Sequence, residues 1–163
     1  RILMREKKYW EEHGQEQFQP DLGDYEYVVK RQLVPGARKD FIEKIGELQL
    51  HPGALIDLTQ GLVSDLHQVT EASNVGAYIY QTALPIAIET RQVADEMKED
   101  VDKYALYGGE DFELLFTLPE NDVETLAEEF DDFVVIGKIT RREEGVKMQR
   151  QDGELISFEE EQS

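Results

Sequence analysis

Apolar residues recur along this chain at two spacings, and the alternation between them outlines the elements. In 37–48, Ala37, Phe41, Ile42, Ile45 and Leu48 fall three or four apart, the mark of one helix face, and Pro35 is placed to open that helix. The segment LVSDLHQVTEAS (62–73) repeats the spacing with Leu62, Leu66, Val69 and Ala72 or Ser73, and Asn74 or Gly76 would end it. Further helices are expected at 1–12, with Ile2, Leu3 and Tyr9 or Trp10 inward, at 89–98, and at 102–107, where Gly108-Gly109 forms a stop. One more runs from a cap at Asn121 to Phe130, with Val123, Leu126 and Ala127 inward. Shorter apolar runs separate these helices. Residues 54–58 read as a buried strand after the His51-Pro52-Gly53 break, with others at 77–81, 112–118 and 133–140, and 25–34 alternates enough to be extended. Residues 146–150 and 154–158 bracket Asp152-Gly153, a hairpin signal. The pattern predicts an α+β fold, a layered α/β domain with a mixed β-sheet. Residues 1–30 read as an N-terminal arm or linker and 31–163 as the folded domain.

Charge narrows the function. With 17 basic against 36 acidic residues the formal net charge is −19, which disfavours nucleic acid as a partner because the phosphate backbone would be repelled. Much of that excess, as in Glu99-Asp100, Asp131-Asp132 and Glu159-Glu160-Glu161, reads as solvated surface. An acidic protein that handles phosphates needs divalent cations or a basic partner domain. No stretch approaches the roughly 18 apolar residues of a membrane helix, so no membrane partner is expected. The absence of cysteine excludes disulfides and thiolate metal sites and fits a cytoplasmic setting. The sequence opens on Arg1 rather than Met, so a longer protein is expected.

Two stretches could carry chemistry. In IDLTQGL (56–62), Asp57 stands at the end of a predicted strand and Thr59 where a helix N-cap belongs. Such a junction offers amide N–H groups to a phosphate, and a carboxylate beside it can hold Mg²⁺ against the phosphate oxygens. The plainer alternative is that Thr59 only caps the helix and Asp57 favours its positive end. In GGEDFELLF (108–116), Gly108 and Gly109 can stop a helix with positive φ and bring backbone close to a ligand, with Glu110 and Asp111 at the strand mouth. A C-cap before a buried strand explains those glycines but not the tandem acid; Glu113, by strand alternation, can instead face solvent. His13, His51 and His67 lack metal-ligand spacing, Ser64, Ser73 and Ser157 lack a base at triad spacing, and no GxxxxGK[ST] or GxGxxG loop occurs.

Together the motifs resemble the thiamine-monophosphate kinase family. GGEDFELLFTLP (108–119) is similar to that family's GGEDYELLFT signature, and ALIDLTQGLVSDL (54–66) to its IDxSDGLxxDL segment, in the same order and at matching separation. ASNVGAYI (72–79) and RQLVPGAR (31–38) resemble two further family stretches, so the likeness runs roughly over 31–140. It implies the C-terminal, substrate-side domain of such an enzyme, with the aminoimidazole-ribonucleotide synthetase-like fold. Residues 1–30 would then be the tail of a missing N-terminal ATP-binding domain of the same chain. The implied activity is transfer of the ATP γ-phosphoryl group to thiamine monophosphate with Mg²⁺, without a phosphoenzyme, in a homodimer paired through the absent domain; the isolated piece is expected to be inactive. By matched position Asp57 would be a Mg²⁺ ligand, and Thr59, in place of the family Ser, would meet ATP phosphate through its hydroxyl. Glu110 would contact thiamine monophosphate, Gly108, Gly109 and Asp111 would shape that pocket, and Asp65 would be structural. Gln60 stands where the family has a Mg²⁺-binding Asp, which weakens one cation site, and FEEEQS lacks the aromatic with which the family commonly ends. Two alternatives stay open: a non-catalytic homologue that binds nucleotide or thiamine phosphates, and a superfamily enzyme with another substrate.

Overall fold

The computed structural model describes residues 2–13, 22–33, 36–108 and 113–158. Helices α1 (Ile2–His13), α2 (Glu26–Leu33) and α3 (Lys39–Glu47) come first. Strand β1 (Ala54–Asp57) follows, then α4 (Leu62–Ser73), β2 (Gly76–Tyr80), α5 (Ile88–Met97) and α6 (Val101–Tyr107). The chain continues through β3 (Leu114–Thr117), α7 (Glu120–Glu129), β4 (Gly137–Thr140), β5 (Val146–Gln149) and β6 (Leu155–Ser157). Among the described residues the strands form a sheet of order β4-β2-β5-β6 and a separate β1-β3 ribbon. The larger sheet is mixed, since β2 runs antiparallel to β4 and parallel to β5. This is the expected α+β architecture, and the hairpin around Asp152-Gly153 joins β5 to β6 antiparallel.

Two apolar clusters meet across the ribbon. The α4 face, with Leu62, Val63, Leu66 and Val69, packs on Ala77, Ile79, Val146 and Met148 of the larger sheet. On the other side Phe41 and Ile45 of α3 meet Leu126 of α7, and the Phe41 and Phe116 rings stand 4.4 Å apart. Strand alternation divides β3 between them, with Leu115 in the first cluster and Leu114 and Phe116 against the second. The ribbon is therefore pinned from both faces, which fixes where the end of β1 and the start of β3 emerge.

Several boundaries differ from expectation. Residues 26–33 are helical rather than extended, because Tyr25, Val28 and Val29 keep helical spacing and are half-buried, whereas Tyr27 of the apparent alternation is 45% exposed. Helix α3 starts at Lys39 with non-helical Gly36–Arg38 before it, not at Pro35, which lies outside the described residues. Strand β1 is only half-buried, with Leu55 and Asp57 exposed, because it is paired along one edge. Pro119, not Asn121, precedes α7; its carbonyl accepts the amides of Asp122 and Val123, and Ala127 faces solvent while Leu126 is fully buried. Only Gly137–Thr140 of 133–140 forms strand. Its partner β2 ends at Tyr80, whose amide makes the last rung to the Ile136 carbonyl, and the chain then turns away at Gln81–Ala83. Helix α1 ties back through Arg5, which donates to the Tyr25 hydroxyl at 2.7 Å, and that hydroxyl donates to Glu96 of α5 at 2.6 Å.

Candidate functional site

The register of the ribbon sets the site. Asp57, at the end of β1, lies opposite Leu114, at the start of β3, so the bend after one strand and the approach to the other share an edge. The Leu58 amide donates to the Glu113 carbonyl at 2.8 Å. Three residues on, Gly61 takes φ 105°, and a Cβ there would stand 3.1 Å from the Gly108 carbonyl oxygen and from Tyr107 backbone atoms. The positive φ favours glycine at position 61, and a Cβ there would also press on backbone that must give by a few tenths of an ångström. Gly108 and Glu113 thus both rest against the 57–61 bend. Gly109, Glu110 and Asp111 lie between them, outside the described residues. Gly108 itself has φ −70°, so the expected positive φ is not its reason for being glycine. A Cβ at 108 would overlap the Tyr104 carbonyl oxygen.

The first bend is organised from beneath. Thr59 is not the helix cap; Gly61 occupies that position. Instead Asp65, in the first turn of α4, reaches back so that its Oδ2 accepts the amides of Thr59 at 2.7 Å and Gln60 at 3.1 Å. Its Oδ1 accepts from the Gln68 side-chain amide at 3.3 Å, and the residue is 1% exposed. Two of the amides at this junction, those of Thr59 and Gln60, are therefore taken by a carboxylate of the chain itself. What the bend shows to solvent is side chains: Asp57, Thr59 and Gln60 are all exposed. The Gln60 Oε1 accepts from the Ser64 hydroxyl at 3.1 Å, so its one metal-binding oxygen already has a donor.

The approach to β3 is held by arginines. Glu113 accepts from Arg31 on one oxygen and from Arg38, at 2.9 Å, on the other. Burial opposes ionisation of Glu113, but these two guanidinium hydrogen bonds outweigh it and hold its carboxyl below the ordinary carboxylate value. Arg38 also bonds Asp40 and both the carbonyl and the carboxylate of Asp132, and its guanidinium lies 5.9 Å from the Phe130 ring centroid. Glu113 is thus an anchor rather than a solvent residue. Its partners, 82 and 75 residues away in sequence, were not legible from the local pattern. Beside Asp57 opens a groove of about 540 Å³ lined by Arg38, Lys39, Ile42, Leu55 and Leu114. Apolar side chains stand there with two cations and with the carboxylates of Glu43 and Asp57, both exposed.

A divalent cation fits this edge only in part. Among the described residues no group of three or more His, Cys, Asp or Glu converges to hold a metal, and the Asp65 and Glu113 carboxylates are engaged as above. Within the 57–61 bend Asp57 is the acid, and it is presented to solvent. One carboxylate suffices where Mg²⁺ is held mainly by water and substrate phosphates, but it does not make a self-contained site. His13, His51 and His67 stand on separate elements.

A family model described as AIR synthase related protein, C-terminal domain, matches residues 11–149. The chain belongs to that family. Within it, the thiamine-monophosphate kinase of Escherichia coli (strain K12) is 34% identical over 143 residues, covering 85% of this chain and 42% of that protein. The thiamine-monophosphate kinase of Aquifex aeolicus (strain VF5) is 33% identical over 118 residues, covering 72% and 35%. The fold agrees as well: a solved structure of AaThiL complexed with AMPPCP and TMP matches with a TM-score of 0.68 at 28% identity, covering 96% of this chain and 46% of that one. The chain therefore spans less than half the length of these AIR synthase related proteins. No described helix is long and apolar enough to cross a membrane.

Proposed function

We propose that this chain is the substrate-side half, residues 31–163, of a thiamine-monophosphate kinase, with residues 1–30 leading from a further domain that completes the ATP site. The observation that carries this is the contact of both flanks of the 108–113 segment with the 57–61 bend, which joins the two kinase-like motifs at one edge. In the reaction a phosphate oxygen of thiamine monophosphate attacks the γ-phosphorus of ATP. The bond to the β-γ bridging oxygen breaks, ADP leaves, and thiamine diphosphate forms. Such a transfer asks for positioning and charge neutralisation rather than a protein nucleophile. Asp57 would contribute one carboxylate to Mg²⁺, which when bound neutralises phosphate charge. Thr59 meets ATP phosphate through its hydroxyl, since its amide is already committed to Asp65. Glu110 contacts thiamine monophosphate, with Gly108, Gly109 and Asp111 shaping its pocket. The complete enzyme is a cytoplasmic homodimer, and these 163 residues alone do not turn over. The test is thiamine diphosphate formation by the protein of the complete reading frame. Turnover that needs both nucleotide and Mg²⁺ supports the proposal; its absence from a folded, complete protein refutes it.

One observation favours a second reading, a homologue that binds these phosphates without catalysing transfer. Gln60 offers no charge, and its side-chain oxygen is already bonded to Ser64. Gln60→Asp in the complete protein separates the two. A large gain in Mg²⁺-dependent turnover marks a lapsed catalyst, whereas little change means the bend works without a second acid.

A further inference from the structure

We infer that Asp65 is a positioning residue for phosphoryl transfer, a buried carboxylate that fixes the 57–61 bend in its working shape before any ligand arrives; the inference rests on the function proposed above. A helix of this sequence has no need of a buried acid. An exposed Asp or Glu in the first turn would satisfy the helix dipole equally well. Burying a carboxylate is costly unless its oxygens are fully hydrogen-bonded. Asp65 is nonetheless 1% exposed, and three N–H groups converge on it: the amides of Thr59 and Gln60 on one oxygen, the Gln68 side chain on the other. Its own amide donates to the Gly61 carbonyl at 3.0 Å, so the residue grips the turn at both ends.

Two consequences follow for the site. The backbone of Thr59 and Gln60 is locked, and with it the directions in which the Asp57 carboxylate and the Thr59 hydroxyl leave the chain. Gly61 is held against Tyr107 and Gly108, which keeps the second motif in register with the first. The carboxylate also fills the position where two consecutive amides would otherwise seat an anion. An incoming phosphate is thereby kept from the Thr59 and Gln60 amides, while the side chains of Asp57, Thr59 and Gln60 stay exposed to it. Asp65 touches no reacting atom; it acts through Thr59, Gln60 and Gly61.

The test has two readouts. In the 163-residue chain, amide hydrogen exchange at Thr59 and Gln60 should be slow despite the exposure of both residues, and in Asp65→Asn it should quicken roughly tenfold at those two positions with the rest of the pattern kept. In the complete protein, Asp65→Asn should lower kcat by about 10- to 100-fold, as expected for a misplaced phosphate contact, and leave the KM for thiamine monophosphate within about threefold. Free exchange of these amides in the unmodified chain overturns the inference, and needs no variant. So does an Asn variant that loses thermal stability but keeps kcat, which would mark a merely structural acid. If the unmodified complete protein makes no thiamine diphosphate, the proposed function falls; if it does and the variant is unaffected, only the inference falls.

Discussion

The bend after β1 and the approach to β3 press against one another, yet they are held by opposite means. Below the bend, one buried carboxylate six residues downstream collects neutral amides. Beside the approach, Glu113 is clasped by arginines, with Arg31 45% and Arg38 19% exposed at the side chain. Buried hydrogen bonds between near neighbours in the chain are little screened by salt. Ion pairs between distant, partly solvated side chains are screened by salt and lost on protonation. One wall of the candidate site is therefore rigid by local design, and the other is conditional on the packing of α2, α3 and the segment after α7.

Breaking the rigid wall should have the larger effect. Gly61→Val places a branched side chain at φ 105° and against the Gly108 carbonyl, and is expected to cost about 3 kcal/mol in a denaturant titration. On the conditional wall, Arg38→Ala removes bonds to Glu113, Asp40 and Asp132 together and should cost about 2 kcal/mol, with the loss shrinking in high salt. Glu113→Gln sharpens the contrast through pH. The Glu113 carboxyl lies below its ordinary 4.5 in the folded protein, so its contribution is present above pH 4.5 and disappears as the pH falls through the lowered folded value. After allowance for partial exposure that contribution is about 1 kcal/mol, and the variant should flatten the stability profile in that acid window. The smallest effect belongs to Gln60→Asp, at an exposed position, where thermal denaturation should move by less than about 0.5 kcal/mol whatever happens to turnover.

The same division explains what could be read from the sequence. Helix α4 and the β5–β6 hairpin were legible because their signals are local: Leu62, Leu66 and Val69 at helical spacing, and Asp152-Gly153 between two apolar runs. Residues 26–33 were not, because their Tyr and Val content suits a strand and packing against α5 makes them helix. At the site, the Thr59 cap failed for an instructive reason. A helix start offers one place for a capping oxygen, but here the oxygen comes from within the helix, from Asp65, and the cap position falls to Gly61. Asp57, Thr59 and Gln60 stand exposed at the bend, although 54–58 reads as a buried strand, and Gly108 lies against it. The partners of Glu113 needed the fold, since nothing in 113–117 points to Arg31 or Arg38.

The central claim is that the two bends form one site for a phosphate ester, and the most direct measurement maps the binding itself. Thiamine monophosphate with Mg²⁺, titrated into the isotopically labelled chain, should shift amide resonances of residues 57–61 and 107–113 together, with one shared affinity. Shifts confined to one bend, displaced to the β5–β6 hairpin, or absent altogether would contradict it.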